Sequence, residues 1–368
     1  MVDTLRIALI GPLPPPSGGM ANQTRQLAEL LRGEGLCVEV VQVNAPYRPR
    51  WVSGVRGLRA LFRLLPYLWC LWRAAGRAEL LHIMANSGWS WHLLAAPAVW
   101  IGRLRGKAVL VNYRGGEAAS FLERSISTVR LSLRHAHILV VPSLFLQQVF
   151  AKHGFAGRIV PNIIDLERFA PGHPAAGNSN PHIVVARNLE PIYDNATALR
   201  AFALVRQKIP GVRMTIAGTG PEQQSLSRLA QELGVMDAVT FSGRLDNERM
   251  AALYRCAHIV LNPSLADNMP ISILEALACG VPVVSTSVGG VPFLVTHEQT
   301  ALLVPAQDPQ AMANALLRVL NDAALAQALT TAGLTLAREF SWPKVRETLF
   351  AAYRAALESA RPVQKVTS

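Results

Sequence analysis

A dozen short apolar runs, separated by stretches long enough for helices, constrain the fold of this 368-residue chain more than any other feature. The first series lies at residues 6–10, 37–43, 79–84, 107–112, 137–141 and 158–160. The second lies at 182–186, 212–218, 238–242, 258–262, 281–285 and 301–304. Strands of this length alternating with helices predict parallel sheets covered on both faces. A loop rich in Pro, Gly and Asn at 170–181 separates the series, so two successive doubly wound α/β units are expected, residues 1–165 and 166–341. A hydrophobic content of 51% is enough for two cores.

The densest chemistry lies at 267–292, DNMPISILEALACGVPVVSTSVGGVP. Asp267 or Asn268 is expected to cap a short helix over 270–278, with Pro270 in its first turn and Ile271, Leu274, Leu277 and Ala278 on its buried face. The free N–H groups of that turn, after Met269 and around Ile271 and Ser272, carry the positive end of the helix dipole and suit an anion such as a diphosphate. Glu275 rides on the same helix, Cys279-Gly280 stops it, and Gly289-Gly290 follows a buried strand with little side-chain bulk. Amides, a carboxylate and a bare loop suggest a nucleotide pocket.

Other candidates stand just beyond predicted strands, where parallel sheets gather ligands. Gly18 and Gly19 end a Pro-rich turn after the first strand, without the spacing of a dinucleotide fingerprint; ligand loop and plain turn both remain open. Arg114 and Glu117 flank two glycines after the fourth strand, and either could equally be a surface charge. Arg187 and the turn at Gly218 follow the first two strands of the second series, where a guanidinium can grip phosphate oxygens. His82, His135 and His137 sit in or beside apolar strands without metal spacing and read as structural histidines.

Charge is uneven. Of the net +12, residues 1–165 hold 19 Lys+Arg against 8 Asp+Glu, while the rest holds 17 against 16. From Arg48 to Arg77 inclusive there are seven arginines and no acid, interleaved with Trp51, Phe62, Tyr67, Trp69 and Trp72. That segment reads either as an interfacial helix for an anionic membrane or as a helix with a solvated basic face. No nucleic-acid-binding module accompanies the charge, so no nucleic-acid partner is expected. Cys37, Cys70, Cys256 and Cys279 lie among apolar neighbours without metal spacing and read as buried thiols in a reducing compartment. The longest apolar stretches are broken by Pro66 and Pro97 and fall short of the roughly 20 residues of a spanning helix. With no signal peptide visible, a cytoplasmic protein, peripheral at the inner face of the membrane, is the expectation.

Taken in order, PPPSGGM (14–20), VPS (141–143), PNIID (161–165), ARNLEP (186–191), IAGTGPE (216–222), FSGRL (241–245) and the 267–292 stretch resemble the retaining glycosyltransferases of family 4. The resemblance covers nearly the whole chain. It implies the GT-B fold, two facing Rossmann-like domains with a cleft between them, and a last helix, about 342–368, joining the first. It further implies transfer of a sugar from a nucleotide diphosphate, for which a UDP-sugar is the expectation, to a lipid-linked or glycan acceptor in cell-surface polysaccharide synthesis. On that resemblance Glu275 binds the donor ribose, Asp267 faces the transferred sugar, and Arg187 meets the diphosphate. Gly18, Gly19, Gly218 and the 268–272 segment (Asn268, Met269, Pro270, Ile271, Ser272) line the donor, and Glu117 lies on the acceptor side. No metal or cofactor is required, because arginine and helix dipole neutralise the phosphates.

Three departures stand out. Ile192-Tyr193-Asp194 occupies the place of the family's lysine, Asp267 is one methylene shorter than the usual Glu, and Arg114 stands where a histidine is common. Losing a charge-assisted hydrogen bond is worth roughly 1.5–3 kcal/mol, and Arg114 is the expected replacement cation. A catalytically decayed nucleotide-sugar-binding protein and a GT-B-like sugar-nucleotide epimerase are the alternative readings.

Overall fold

The computed structural model describes residues 5–15, 19–46, 58–172 and 180–361. It divides into two compact units, one of Met1–Pro161 with Val345–Ser368, the other of Asn162–Lys344.

The first unit runs β1 (Arg6–Gly11), α1 (Gly19–Gly33), β2 (Cys37–Gln42), α2 (Leu58–Arg77), β3 (Leu80–Ala85), α3 (Ala96–Leu104), β4 (Ala108–Tyr113), α4 (Ala118–Leu133), β5 (Ile138–Val141), α5 (Leu144–Ala151) and β6 (Gly157–Ile159). Its six-stranded sheet has the order β2-β1-β3-β4-β5-β6, every pair parallel. The order reverses between β1 and β3, the switch point at which α/β sheets open for ligands. Strand alternation sends Leu81, Ile83, Val109 and Val111 into one apolar core with Leu71, Val99 and Phe150. The opposite face carries His82 and Asn112, both buried.

The second unit continues with β7 (His182–Ala186), α6 (Asn195–Lys208), β8 (Arg213–Ala217), α7 (Gln223–Glu232), β9 (Val239–Gly243), α8 (Asn247–Arg255) and β10 (Ile259–Asn262). Then come α9 (Ile271–Ala278), β11 (Val283–Thr286), α10 (Val291–Leu294), β12 (Leu302–Val304), α11 (Pro309–Asn321) and α12 (Ala323–Arg338). The parallel order is β12-β11-β10-β7-β8-β9, with its switch point between β7 and β10. Apolar cores cover both faces, one around Phe202, Ile216 and Leu316, the other around Ile273, Leu277 and Val283. The last helix, α13 (Trp342–Ala360), belongs from Val345 onward to the first unit. Arg346 of α13 donates two hydrogen bonds to Glu34, each of 3.0 Å.

The cysteines depart from expectation. Cys279 is buried, but Cys37, Cys70 and Cys256 are exposed, on an edge strand, on the outer side of α2 and at the end of α8. Apolar neighbours in sequence do not bury a residue whose own position faces outward.

Candidate functional site

In the second unit the switch point brings together Arg187 and Asp267, two of the side chains expected to act. Arg187 leaves the end of β7, and Asn262 ends β10 beside it. The guanidinium Nε donates to Asn262 Oδ1 at 2.7 Å, and its NH2 group meets Asp267 Oδ2 at 2.6 Å. Side-chain exposures of 11% and 15% make this a largely buried ion pair. Asn262 is itself fixed, accepting from the Ser264 hydroxyl at 2.8 Å and donating to Ser285 at 2.9 Å. The guanidinium also lies over the Tyr193 ring, 5.2 Å from its centroid. Arg187 is thus held on several sides with its charge kept at the strand edge.

Asp267 serves this pair rather than capping α9. Its other oxygen accepts from the Asn268 amide at 2.9 Å, and the helix begins at Ile271 with Pro270 in the capping position and no side-chain cap. Asn162, from the PNIID segment, donates to the Met269 carbonyl at 3.1 Å and pins the entry to the helix. The first-turn N–H groups of α9 therefore keep the arrangement that favours an anion, one residue later than expected.

Glu275 lies one turn into α9, partly buried. Burial pushes its carboxyl up to about 7, against the pull of a hydrogen bond from Tyr254 and of the Arg187 charge. The Tyr254 hydroxyl, fully buried on α8, donates to Glu275 Oε2 at 3.2 Å. Burial and the neighbouring carboxylate raise the phenol well above its ordinary value.

The glycines act mainly through packing. A Cβ on Gly218 would stand 2.0 Å from the Arg187 carbonyl oxygen. One on Gly289 would be 2.2 Å from the Asp267 carbonyl oxygen, and one on Gly290 1.8 Å from that of Asn268. The Gly290 amide donates to the Asp267 carbonyl at 2.8 Å. Bare backbone here seats one loop against another.

In the first unit, Arg114 follows β4 and is partly buried, and burial lowers its guanidinium to about 10, still charged at neutral pH. Its Nε donates to Asn112 Oδ1 at 3.2 Å and its NH1 to Gln23 Oε1 at 3.3 Å. Glu117 is exposed, in the capping position of α4. Gly19 opens α1 in an exposed position, whereas Gly18 lies outside the described residues. Among the described residues no cluster of three or more His, Cys, Asp or Glu is placed to hold a metal.

The family model described as "Glycosyl transferases group 1" matches residues 180–322, most of the second unit. The family match is to this part of the chain. A D-inositol 3-phosphate glycosyltransferase of Saccharomonospora viridis is 34% identical over 222 residues, covering 56% of this chain and 52% of that protein. The homonymous protein of Mycobacteroides abscessus is 34% identical over 55% of this chain and 47% of its own. The match thus spans about half the length of these curated relatives. That of Segniliparus rotundus extends further, at 27% identity over 93% of this chain and 85% of that protein. Among solved structures, sucrose-phosphate synthase of Thermosynechococcus elongatus superposes with a TM-score of 0.79 at 23% identity, over 96% of this chain and 100% of that one. HepE of Anabaena, solved with UDP, gives 0.74 at 17% identity over 95% and 100%. These two likenesses establish the GT-B fold with its two parallel sheets.

Tyr254, Asn262 and Asn162 were not singled out from the chain, and Tyr193 was named only as one of the residues in the place of the family's lysine. Asn262 closes a predicted strand at the ligand edge, and that position was the available signal. Tyr254 had none, because its hydroxyl meets Glu275 through helix packing.

Proposed function

We propose that the chain is a retaining glycosyltransferase that moves a sugar from a UDP-sugar to a lipid-linked or glycan acceptor. The observation that carries this reading is the pairing of Arg187 with Asp267 and Asn262 at the switch point, followed directly by the N-terminus of α9 and Glu275. The names of the relatives and the UDP bound in HepE support it.

In this reading the α9 amides and Arg187 take the diphosphate, and Glu275 accepts hydrogen bonds from the ribose hydroxyls. Asp267 orients both Arg187 and the transferred sugar. As the bond from the sugar anomeric carbon to the β-phosphate breaks, negative charge grows on the departing oxygen, where a fixed guanidinium and oriented amides lower the barrier. The acceptor oxygen bonds to the anomeric carbon on the same face and passes its proton to the leaving diphosphate. On the first unit, Arg114 at the end of β4 is the cation proposed to act on substrate.

The acceptor is proposed to be met at an anionic membrane surface. On α2, Phe62, Leu65, Trp69 and Trp72 recur on one helical face and are exposed, Leu65 and Trp69 by more than 60% (62% and 64%). Arg105, closing α3, stacks 4.6 Å over Trp72, and Trp100 and Leu104 of α3 are exposed nearby in sequence. Aromatic side chains with arginines among them suit the headgroup boundary. No helix among the described residues is long and apolar enough to cross a membrane. Arg48, Arg50, Trp51 and Arg56 of the same basic segment lie outside the described residues.

The test is thermal unfolding against UDP-, GDP- and ADP-sugars with their free nucleotides, followed by the anomeric configuration of the product. Stabilisation by one nucleotide family and a product retaining the donor configuration is the expected result. Donor binding without transfer or hydrolysis would favour a decayed binding protein, and an inverted product would exclude the retaining mechanism.

A further inference from the structure

The first sheet carries a buried polar chain on the face opposite its apolar core. In the register of β3 and β4, His82 pairs with Leu110 and Met84 with Asn112, which sets His82 and Asn112 on the same face two positions apart. Both side chains are buried, His82 completely (0% exposed). Two leucines would fill such a place without the desolvation that an imidazole and an amide incur. Each polar atom instead meets a partner in a line that starts on the C-terminal helix. The Tyr353 hydroxyl lies 2.8 Å from His82 Nδ1, and Asn112 Nδ2 lies 3.0 Å from His82 Nε2. Arg114 Nε donates to Asn112 Oδ1 at 3.2 Å.

The donors and acceptors permit one direction only. A guanidinium can only donate, so Asn112 must turn its oxygen to Arg114 and its NH2 to the imidazole. His82 Nε2 must then be a bare acceptor, the ring proton must sit on Nδ1, and that proton must be given to the Tyr353 oxygen. A protonated imidazole would set N–H against NH2, and burial and the charge of Arg114 already hold this ring down to about 3.

We propose that Tyr353, His82 and Asn112 are positioning residues that fix the pose of the Arg114 guanidinium, so that α13 governs the cation through a single imidazole tautomer. The proposal rests on the reading above in which Arg114 acts on the substrates. Without the Tyr353 oxygen, the Nδ1–H of His82 loses its acceptor and the ring can carry its proton on Nε2 instead. Asn112 must then turn its oxygen to the ring, and its NH2 faces Arg114, donor against donor. The guanidinium is displaced although no group touching substrate has changed.

The experiment uses full-length Tyr353→Phe, a substitution that keeps the ring packing, together with Arg114→Ala and the double variant. The tautomer of His82 is read by ¹⁵N-histidine NMR, with His82→Gln identifying the signal. The wild type is expected to show Nδ1–H and Tyr353→Phe to lose it. For sugar transfer, Tyr353→Phe should lower kcat about tenfold with the KM for the UDP-sugar and the melting temperature nearly unchanged. The double variant should be no slower than Arg114→Ala alone, because both changes act through one group. An unaltered tautomer in Tyr353→Phe, or losses that multiply in the double variant, would overturn the proposal. Should the wild type transfer no sugar at all, the functional reading fails. The NMR signal and the melting temperatures then still decide whether Tyr353 sets the His82 tautomer, and an unaltered signal sinks the relay by itself.

Discussion

The Tyr254 hydroxyl donates to Glu275 Oε2 across 3.2 Å, joining α8 to α9 beneath the predicted ribose site. A carboxyl held up to about 7 by burial accepts ribose hydroxyls best once ionised. The affinity for a UDP-sugar, whose diphosphate does not titrate in this range, should therefore rise with pH up to about 7 and level off above it. Tyr254→Phe removes the donor that favours the ionised form and should move that midpoint upward by about one unit. Isothermal titration from pH 5.5 to 8.5 reads both midpoints, and an affinity flat in pH would exclude the ribose role of Glu275.

Arg187 and Asp267 are sheltered from water and depend on one another. Arg187→Ala leaves a carboxylate without its partner and should destabilise by about 3 kcal/mol, whereas Arg187→Ala with Asp267→Ala should recover part of that loss. Loss of the guanidinium should also lower kcat by about a hundredfold, the usual effect of removing one preorganised charge-stabilising donor. Denaturant melts and steady-state rates separate the two effects. A single variant as stable as the double would mean that the unpaired Asp267 carboxylate carries no penalty.

His82 ties stability to pH. The imidazole is held down to about 3 in the folded chain but takes a proton below about 6.5 when unfolded. Its contribution is therefore complete above pH 6.5 and drains away as pH falls, by up to about 1.4 kcal/mol per unit. The slope of melting temperature against pH between 6.5 and 4.5 should flatten in His82→Phe. An unchanged slope would assign the acid sensitivity elsewhere.

Two glycines test the packing of the site loop. A Cβ on Gly290 would lie 1.8 Å from the Asn268 carbonyl oxygen, while one on Gly116 meets nothing within 4 Å. Gly290→Ala should cost about 3 kcal/mol and weaken nucleotide binding, and Gly116→Ala should do neither. Thermal shifts with and without UDP distinguish the outcomes.

Trp69 and Trp72 face outward on α2. Their joint replacement by Ala should reduce flotation with vesicles of phosphatidylglycerol and phosphatidylcholine by about tenfold, at unchanged affinity for the UDP-sugar, since each removes a large apolar contact with the headgroup boundary. Equal flotation of the variant and the wild type would remove the membrane from the proposed function.

Much of this architecture was legible because strand burial leaves a strong mark. The run at 182–186 is β7 itself, and the other strands differ by a residue or two at their ends. Arg187, Asp267 and Glu275 were legible through their positions after strands and on a short helix. Partnerships were less so. Asp267 looked like a helix cap because its spacing from Ile271 allows one, yet an arginine eighty positions away in the chain competes for its oxygen and wins. Gly289 and Gly290 looked like a bare surface for a ligand, but their lack of a side chain lets the backbone of residues 267–268 approach. His82 read as a satisfied structural histidine, and its partners lie on another strand and on a helix more than 250 residues later (271 apart for Tyr353). Such pairings arise from packing between elements, and no local periodicity encodes them.

The helix α13 also bears on how the protein is made. The first unit takes its opening and closing segments from opposite ends of the sequence, with the second unit inserted between them. During synthesis the residues of the second unit are complete once Lys344 has emerged, whereas His82 waits for Tyr353 before its ring is covered. The part translated first is therefore the last to be finished, and a ribosome stalled shortly after residue 344 would carry a complete second unit and a first sheet whose His82 still lacks the cover of α13.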